Sequence, residues 1–345
     1  MSYIAESYRG IAAVLVLLFH TSGISASYFL EQNTLTLFFD FGRSGVEFFF
    51  VLSGFIMYMI HNKDFSNNIE LRRYFLKRAI RIYPIYILIT LAITPVFFLS
   101  ESYGELYHRE FIPLIKSLLL FPQSDLPHLG VAWSLVHEVI FYIAFSLFIF
   151  NKRIGFIVFI FWAISIIIFY FVTSPNFDGG GDGYMWKILF SRYNILFMCG
   201  MFVSHLLLKY SLKNIYVILA FIAGNILFLT SGIILGEQET GVATIFFGFS
   251  SCLILLGCYN SLLEKVIKKI NFLSYLGKAS YSIYLTHTIC ISIICKVFVF
   301  FEINHYLSLT FMYIIIALVS IFFGLVFFKY IEKPLMIKLK NRLIY

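Results

Sequence analysis

This chain has little charge. Of its 345 residues 13 % are Asp, Glu, Lys or Arg, where a soluble domain carries about a quarter. Sixty per cent are hydrophobic and the mean hydropathy is +0.89. That balance excludes an ordinary soluble globular protein and points to a polytopic membrane protein. Cysteine is scarce as well. Cys199, Cys252, Cys258, Cys290 and Cys295 all fall in apolar runs. None has metal-ligand spacing and none lies in a polar loop, so no disulfide framework and no metal site is expected; they read as small membrane-buried residues. The net charge of +8 raises nucleic acid as a partner. The placement of the lysines and arginines assigns them to one membrane face instead, and no nucleic-acid partner is expected. No inverted internal repeat of the kind many transporters carry is visible, and every loop is too short for an extra soluble domain.

Apolar runs long enough for about 30 Å of hydrocarbon fall at 10–28, 45–61, 79–99, 131–150, 154–172, 188–208, 214–232, 242–260, 280–300 and 306–328. The reading is an all-α fold: one transmembrane domain over 1–345 with about ten helices. The first run has no net positive leader and no small-residue cleavage site, so it counts as the first helix and not as a signal peptide. The run 111–122 is too short to span and belongs at the interface or in a re-entrant position. With the N-terminus inside, the inner loops 62–78, 151–153, 209–213 and 261–279 and the tail 329–345 hold eighteen Lys and Arg, and the outer loops hold Arg43, Arg109, Lys116 and Lys187. Glu101, Glu105, Glu110, Asp125, Asp178, Asp182, Glu237 and Glu239 fall outside. This asymmetry predicts N-in, C-in topology in the cell inner or plasma membrane. The outer stretch DGGGDG, 178–183, reads as a solvated linker.

Ionisable residues within membrane helices cost a few kcal/mol and mark sites. Arg9 and His20 are eleven residues apart in ESYRGIAAVLVLLFH. That is almost three helical turns, so they share one face about 16 Å apart, with Arg9 at the cytoplasmic edge and His20 in the outer half. A lone His is compatible with a structural hydrogen bond or with catalysis. Glu138, in WSLVHEVIFY, lies at matching depth and shares a face with Tyr142. It is a candidate to orient and charge-balance His20; a structural ion pair is the other reading, and His137 points about 100° away. Arg78 and Arg81 share a face beside Arg72, Arg73 and Lys77. They serve either as positive-inside anchors on anionic lipid or as a clamp for a phosphorylated ligand. Ser280, Tyr284 and His287 form one polar stripe, either lining a tunnel or bonding helix to helix.

These segments resemble one family. SYRGIAAVLVLLFH resembles the Arg-x10-His motif of the membrane acyltransferase-3 family. GRSGVEFFFVLSGFIM, 42–57, resembles its second-helix signature, with Gly45, Phe49, Ser53 and Gly54 in place. KRAIRIYP resembles its Arg-x-x-Arg-x-x-Pro stretch, WSLVHEVIFY its Trp-Ser-Leu-x-x-Glu segment, and SYSIYLTH and YIEKP its C-terminal elements. The six matches run in order from residue 9 to 334. The resemblance implies an O-acyltransferase using acetyl-CoA as donor and a sugar or lipid hydroxyl as acceptor, among membrane lipids. It implies that His20 is the base or a transient acyl carrier, that Glu138 orients it, and that Arg9, Arg78 and Arg81 hold the donor's phosphates. Ser134, Tyr142, Tyr284 and His287 would line the donor's route. Some relatives carry a fused extracellular hydrolase-like domain; this chain reads as the stand-alone form, which acts alone or hands the acyl group to a separate protein.

The chemistry is sound. A sugar hydroxyl is a poor nucleophile at neutral pH, and a positioned imidazole can take its proton as it attacks a thioester. The rival is a proton-coupled transporter using Glu47, Glu138 and His20 as a relay, which predicts solute flux without acyl-CoA consumption. A silent scaffold is the third reading.

Overall fold

The computed structural model describes residues 2–29, 38–99, 104–173, 184–236 and 241–344. The DGGGDG linker and Glu101, Asp178, Asp182, Glu237 and Glu239 lie outside them. Among the described residues there is no strand. Ten long helices follow the ten predicted runs in order: α1 Tyr3–Phe29, α2 Gly45–His61, α3 Glu70–Ile93, α4 Trp133–Phe150, α5 Lys152–Thr173, α6 Tyr193–Lys209, α7 Asn214–Leu235, α8 Gly241–Leu256, α9 Asn271–Phe300 and α10 Leu309–Phe327. Eight of them are long and apolar enough to cross a membrane. A ninth crossing results if α8 and the short helix Ser261–Lys268, bent from it by 95°, form one broken span. α6, with 17 residues, is at the short end of the range that spans a bilayer, roughly 17–25 residues.

Several helices start earlier than their apolar runs. α3 begins at Glu70 and α9 at Asn271, each about nine residues upstream. Hydrophobicity marks only the stretch inside hydrocarbon, while backbone hydrogen bonding carries the helix on into polar surroundings. The short run is helical at Phe111–Leu118. The membrane reading also explains the exterior. On α5 Ile160, Phe161 and Ile168 are 56–67 % exposed, a face that water would not tolerate at this extent.

Packing divides the chain into two compact units, Met1–Met59 with Cys199–Ile331, and Ile60–Met198 with Glu332–Tyr345. In the first unit α1 lies along α9 in parallel register. Ser274 Oγ donates to Glu6 at 2.6 Å, Arg9 Nε donates to the Gly277 carbonyl at 2.8 Å, and Ile24 and Tyr28 pack on the cluster of Ile291, Cys295 and Phe298. The approach is close because both helices are bare at the crossing. A Cβ on Gly10 would lie 2.7 Å from Gly277 N, and one on Gly277 would collide with the Glu6 carbonyl. Apolar burial does not draw helices together in lipid, so such small-residue contacts carry the association. Gly45 brings the start of α2 equally close to α1, where a Cβ would meet the Ala12 carbonyl at 2.5 Å. The start of α1 is held by Glu264 of Ser261–Lys268, which accepts from Tyr3 N at 2.9 Å.

The second unit is built on aromatics. Phe141 of α4 stacks on Phe197 with ring centroids 4.1 Å apart, and Phe148 packs on Phe159 at 4.8 Å. The helix Lys333–Leu343 packs against α3.

Candidate active site

In the first unit α1 and α9 bring two imidazoles together. His20, half-buried, stacks on His287 with ring centroids 5.0 Å apart and ring planes 29° apart. The face shared by Arg9 and His20 is therefore turned to one neighbour. Arg9 meets α9 at Gly277 and His20 meets it at His287, with offsets of eleven and ten residues along two parallel helices. His287 has no exposed surface. Its Nδ1 donates to the Tyr284 carbonyl at 2.6 Å, and its Nε2 is buried without a hydrogen-bond partner. Phe49 of α2 packs edge-on against Tyr284 at 5.8 Å, so an aromatic wall borders the pair. Ser280 and Tyr284, the rest of the predicted stripe, are buried as well. Arg9 Nε is engaged with backbone at the helix crossing. On another face of α1 an apolar cavity of about 180 Å³ is lined by Tyr8, Ile11, Leu15, Phe48, Phe228 and Ile254.

In the second unit two groups that the sequence suggested separately form one network. The Tyr142 hydroxyl donates to Glu138 one turn away on α4. The Arg78 guanidinium lies over the Tyr142 ring, 5.5 Å from its centroid. Tyr74 donates to the Tyr142 carbonyl at 2.7 Å. Arg78 Nη2 lies 3.4 Å from His61 Nε2, and His61 Nδ1 lies 2.8 Å from Asp64. A carboxylate only accepts, so Nδ1 carries the His61 proton and Nε2 is the acceptor that faces Arg78. Arg78 Nε is buried with no partner. Arg81 turns instead to Glu332 of the YIEKP segment, an ion pair at 3.2 Å with Glu332 2 % exposed. Ser134 Oγ donates to the Val131 carbonyl at 3.2 Å, a local bond at the head of α4.

Sequence reasoning missed His61, Asp64 and the pairing role of Glu332. His61 and Asp64 at i, i+3 close the end of α2, a spacing that was available to find them. It also missed a polar knot in the segment between α3 and α4. There His128 lies 3.1 Å from Ser117 Oγ through Nδ1 and 3.1 Å from the His108 carbonyl through Nε2, and Gln123 donates to Ser117 at 3.2 Å. Burial is the largest influence on both His108 and His128 and pushes each below its ordinary pKa.

A multi-pass helical protein with imidazole, guanidinium and carboxylate groups sequestered among its membrane helices is built to do polar chemistry in hydrocarbon. The pattern that defines the acyltransferase-3 family, described as an acyltransferase domain, matches residues 6–329, and the chain belongs to that family of membrane acyltransferases. It is similar to the exopolysaccharide production protein ExoZ of Rhizobium meliloti (strain 1021), 27 % identical over 275 residues, which cover 75 % of this chain and 79 % of that protein. It is also similar to "Putative O-acetyltransferase SACOL0978" of Staphylococcus aureus (strain COL), 25 % identical over 372 residues, which cover 95 % of this chain and 56 % of that protein. The chain thus spans about half the length of the staphylococcal relative. No solved structure matches.

Proposed function

We propose that this protein transfers an acetyl group from cytoplasmic acetyl-CoA to a hydroxyl of a cell-surface or lipid-linked glycan. Its termini would face the cytoplasm from the cell inner or plasma membrane. The observation that carries the reading is the stacked His20–His287 pair, because imidazole is the side chain best suited to acyl transfer at neutral pH. His20 acts as base or as acyl carrier, and Glu138, bonded to Tyr142, is a second functional group, a carboxylate. The unspent Nε of Arg78 suits a phosphate oxygen of the donor, since guanidinium binds phosphate as a fork. Arg9 and Arg81 stand near the same face of the membrane by sequence topology. The names of the two relatives, one for exopolysaccharide production and one for O-acetyl transfer, favour a polysaccharide acceptor and an acetyl donor.

The test uses purified protein in liposomes with radiolabelled acetyl-CoA and mass spectrometry of surface polysaccharide from cells with and without the gene. His20→Ala and Glu138→Ala are expected to insert and fold. Each should lose transfer, His20→Ala by about 10²- to 10⁴-fold. Wild-type transfer by purified His20→Ala would remove the central assignment.

A further inference from the structure

Two imidazoles meet in the first unit, and only one of them has its hydrogen bonding fixed by the fold. A carbonyl oxygen accepts and never donates, so the 2.6 Å contact with Tyr284 places the His287 proton on Nδ1. The neutral ring then presents a bare lone pair at Nε2. That atom is buried and unbonded, an arrangement that costs stability unless a donor completes it. His20 does not complete it. The two rings lie face over face, at 5.0 Å and 29°, and that geometry makes a stack and not an N–H···N bond. The contacts of the pair include rings and backbone: Phe49 of α2 against Tyr284, Phe19 beside His20 on α1 and the Tyr284 carbonyl of α9, while α10 also packs on α1 and α9. A ligand hydroxyl is the donor class that matches a single buried acceptor nitrogen.

We propose that the two histidines divide the reaction: His287 is the base that takes the acceptor's proton, and His20 carries the acyl group. This rests on the reading of the protein as an acyl-CoA-dependent acyltransferase. In the first half, a ring nitrogen of His20 attacks the thioester carbonyl. A C–N bond forms, the C–S bond breaks, and the departing thiolate takes the proton that the acylated ring sheds. In the second half, the acceptor hydroxyl, hydrogen-bonded to His287 Nε2, attacks the acyl carbon. A C–O bond forms as the C–N bond breaks. The hydroxyl proton passes to Nε2, the departing His20 nitrogen takes a proton from solvent, and the imidazolium gives its own back to solvent. Both rings end neutral. The Tyr284 carbonyl accepts from Nδ1–H throughout, which holds the tautomer in one half and stabilises the imidazolium in the other.

The test uses full-length protein in membrane vesicles of its own host, which hold the acceptor, supplied with radiolabelled acetyl-CoA. Wild type should label glycan. Purified wild type without acceptor should release a stoichiometric burst of CoA. His287→Gln keeps an acceptor atom but cannot take a proton, so glycan labelling should fall at least about 100-fold while the burst remains. Corrected for its direct reaction with acetyl-CoA, hydroxylamine, which needs no base to attack, should draw acetyl hydroxamate from His287→Gln and none from His20→Ala. Three results overturn the proposal. One is glycan labelling by His287→Gln at the wild-type rate. The second is a wild type that labels glycan but shows no burst. The third is a His287→Gln protein that unfolds at the wild-type temperature yet gives no hydroxamate. A wild type that consumes no acetyl-CoA at all overturns the acyl-CoA reading, and this proposal with it.

Discussion

Among the described residues, one buried nitrogen left unspent in the first unit is His287 Nε2, an acceptor; one in the second is Arg78 Nε, a donor on a permanent cation. The surroundings differ in the same sense. His287 stands among rings and backbone, where α1 and α9 touch through glycine. Arg78 stands in a chain of charged and polar groups that runs from Asp64 through His61 to Tyr142 and Glu138. A bare acceptor in an aromatic setting suits a neutral hydroxyl. A spare guanidinium N–H suits an anion. An acyltransferase whose donor has phosphates at one end and a thioester at the other needs one site of each kind, so the contrast fits the proposed reaction better than two equivalent polar sites would.

The contrast breaks most completely if the α1–α9 crossing is forced apart. Gly277→Leu puts a side chain where even a Cβ meets the Glu6 carbonyl. The expected outcome is a loss of about 1–3 kcal/mol, a lower unfolding temperature and no transfer, since the His20–His287 stack depends on that crossing. Gly23→Ala on α1 meets nothing within 4 Å and should be neutral or stabilising by up to about 1 kcal/mol. Equal unfolding temperatures for the two variants in detergent would show that close packing at Gly277 does not hold the unit together.

A second substitution sharpens the division between the units. Arg78→Gln removes the cation but keeps a polar side chain near His61. If its spare N–H meets the donor's phosphates, KM for acetyl-CoA should rise about 10- to 100-fold with a smaller change in kcat, the loss of one charged hydrogen bond. Steady-state kinetics in liposomes decide it. A fall in kcat at unchanged KM would move Arg78 from donor binding to the reacting centre.

The order and type of the helices were legible in the sequence because bilayer thickness writes itself as run length. Helix starts such as Glu70 and Asn271 were not, because helical hydrogen bonding outlasts hydrophobicity at the membrane edge. Within the site, helical periodicity was enough to place Arg9 and His20 on one face and Tyr142 within reach of Glu138. Periodicity within one helix says nothing of which helix faces it. The stack of His20 on His287, the approach of Arg78 to Tyr142 and the pairing of Arg81 with Glu332 depend on contacts between segments 64–267 residues apart, and no local pattern encodes them. The Arg-x-x-Arg spacing likewise suggested one shared clamp, while the structure turns Arg78 and Arg81 to different partners.

The smallest expected effect belongs to the segment between α3 and α4 in the second unit and follows from its two histidines. Burial first, offset in part by hydrogen bonds and by Glu105, holds His108 below its ordinary value of 6.5. Burial, with His108 next to it, does the same to His128. With folded values below the unfolded one, the unfolded segment binds more protons in the window between them. The stabilisation from these neutral rings is therefore complete above about pH 6.5 and is lost as pH falls through the folded values. Protonated His128 could no longer accept at either nitrogen, so its bonds to Ser117 Oγ and the His108 carbonyl would survive only as donations, and the repulsion between two imidazoliums 5.1 Å apart would work against the knot. Hydrogen exchange over residues 104–129, corrected for intrinsic rates, should lose protection between about pH 7 and pH 5, while the α1–α9 amides of the first unit keep theirs. Protection in 104–129 that is flat across that range, or that is lost equally in α1, would mean that the buried histidine knot does not hold this segment closed.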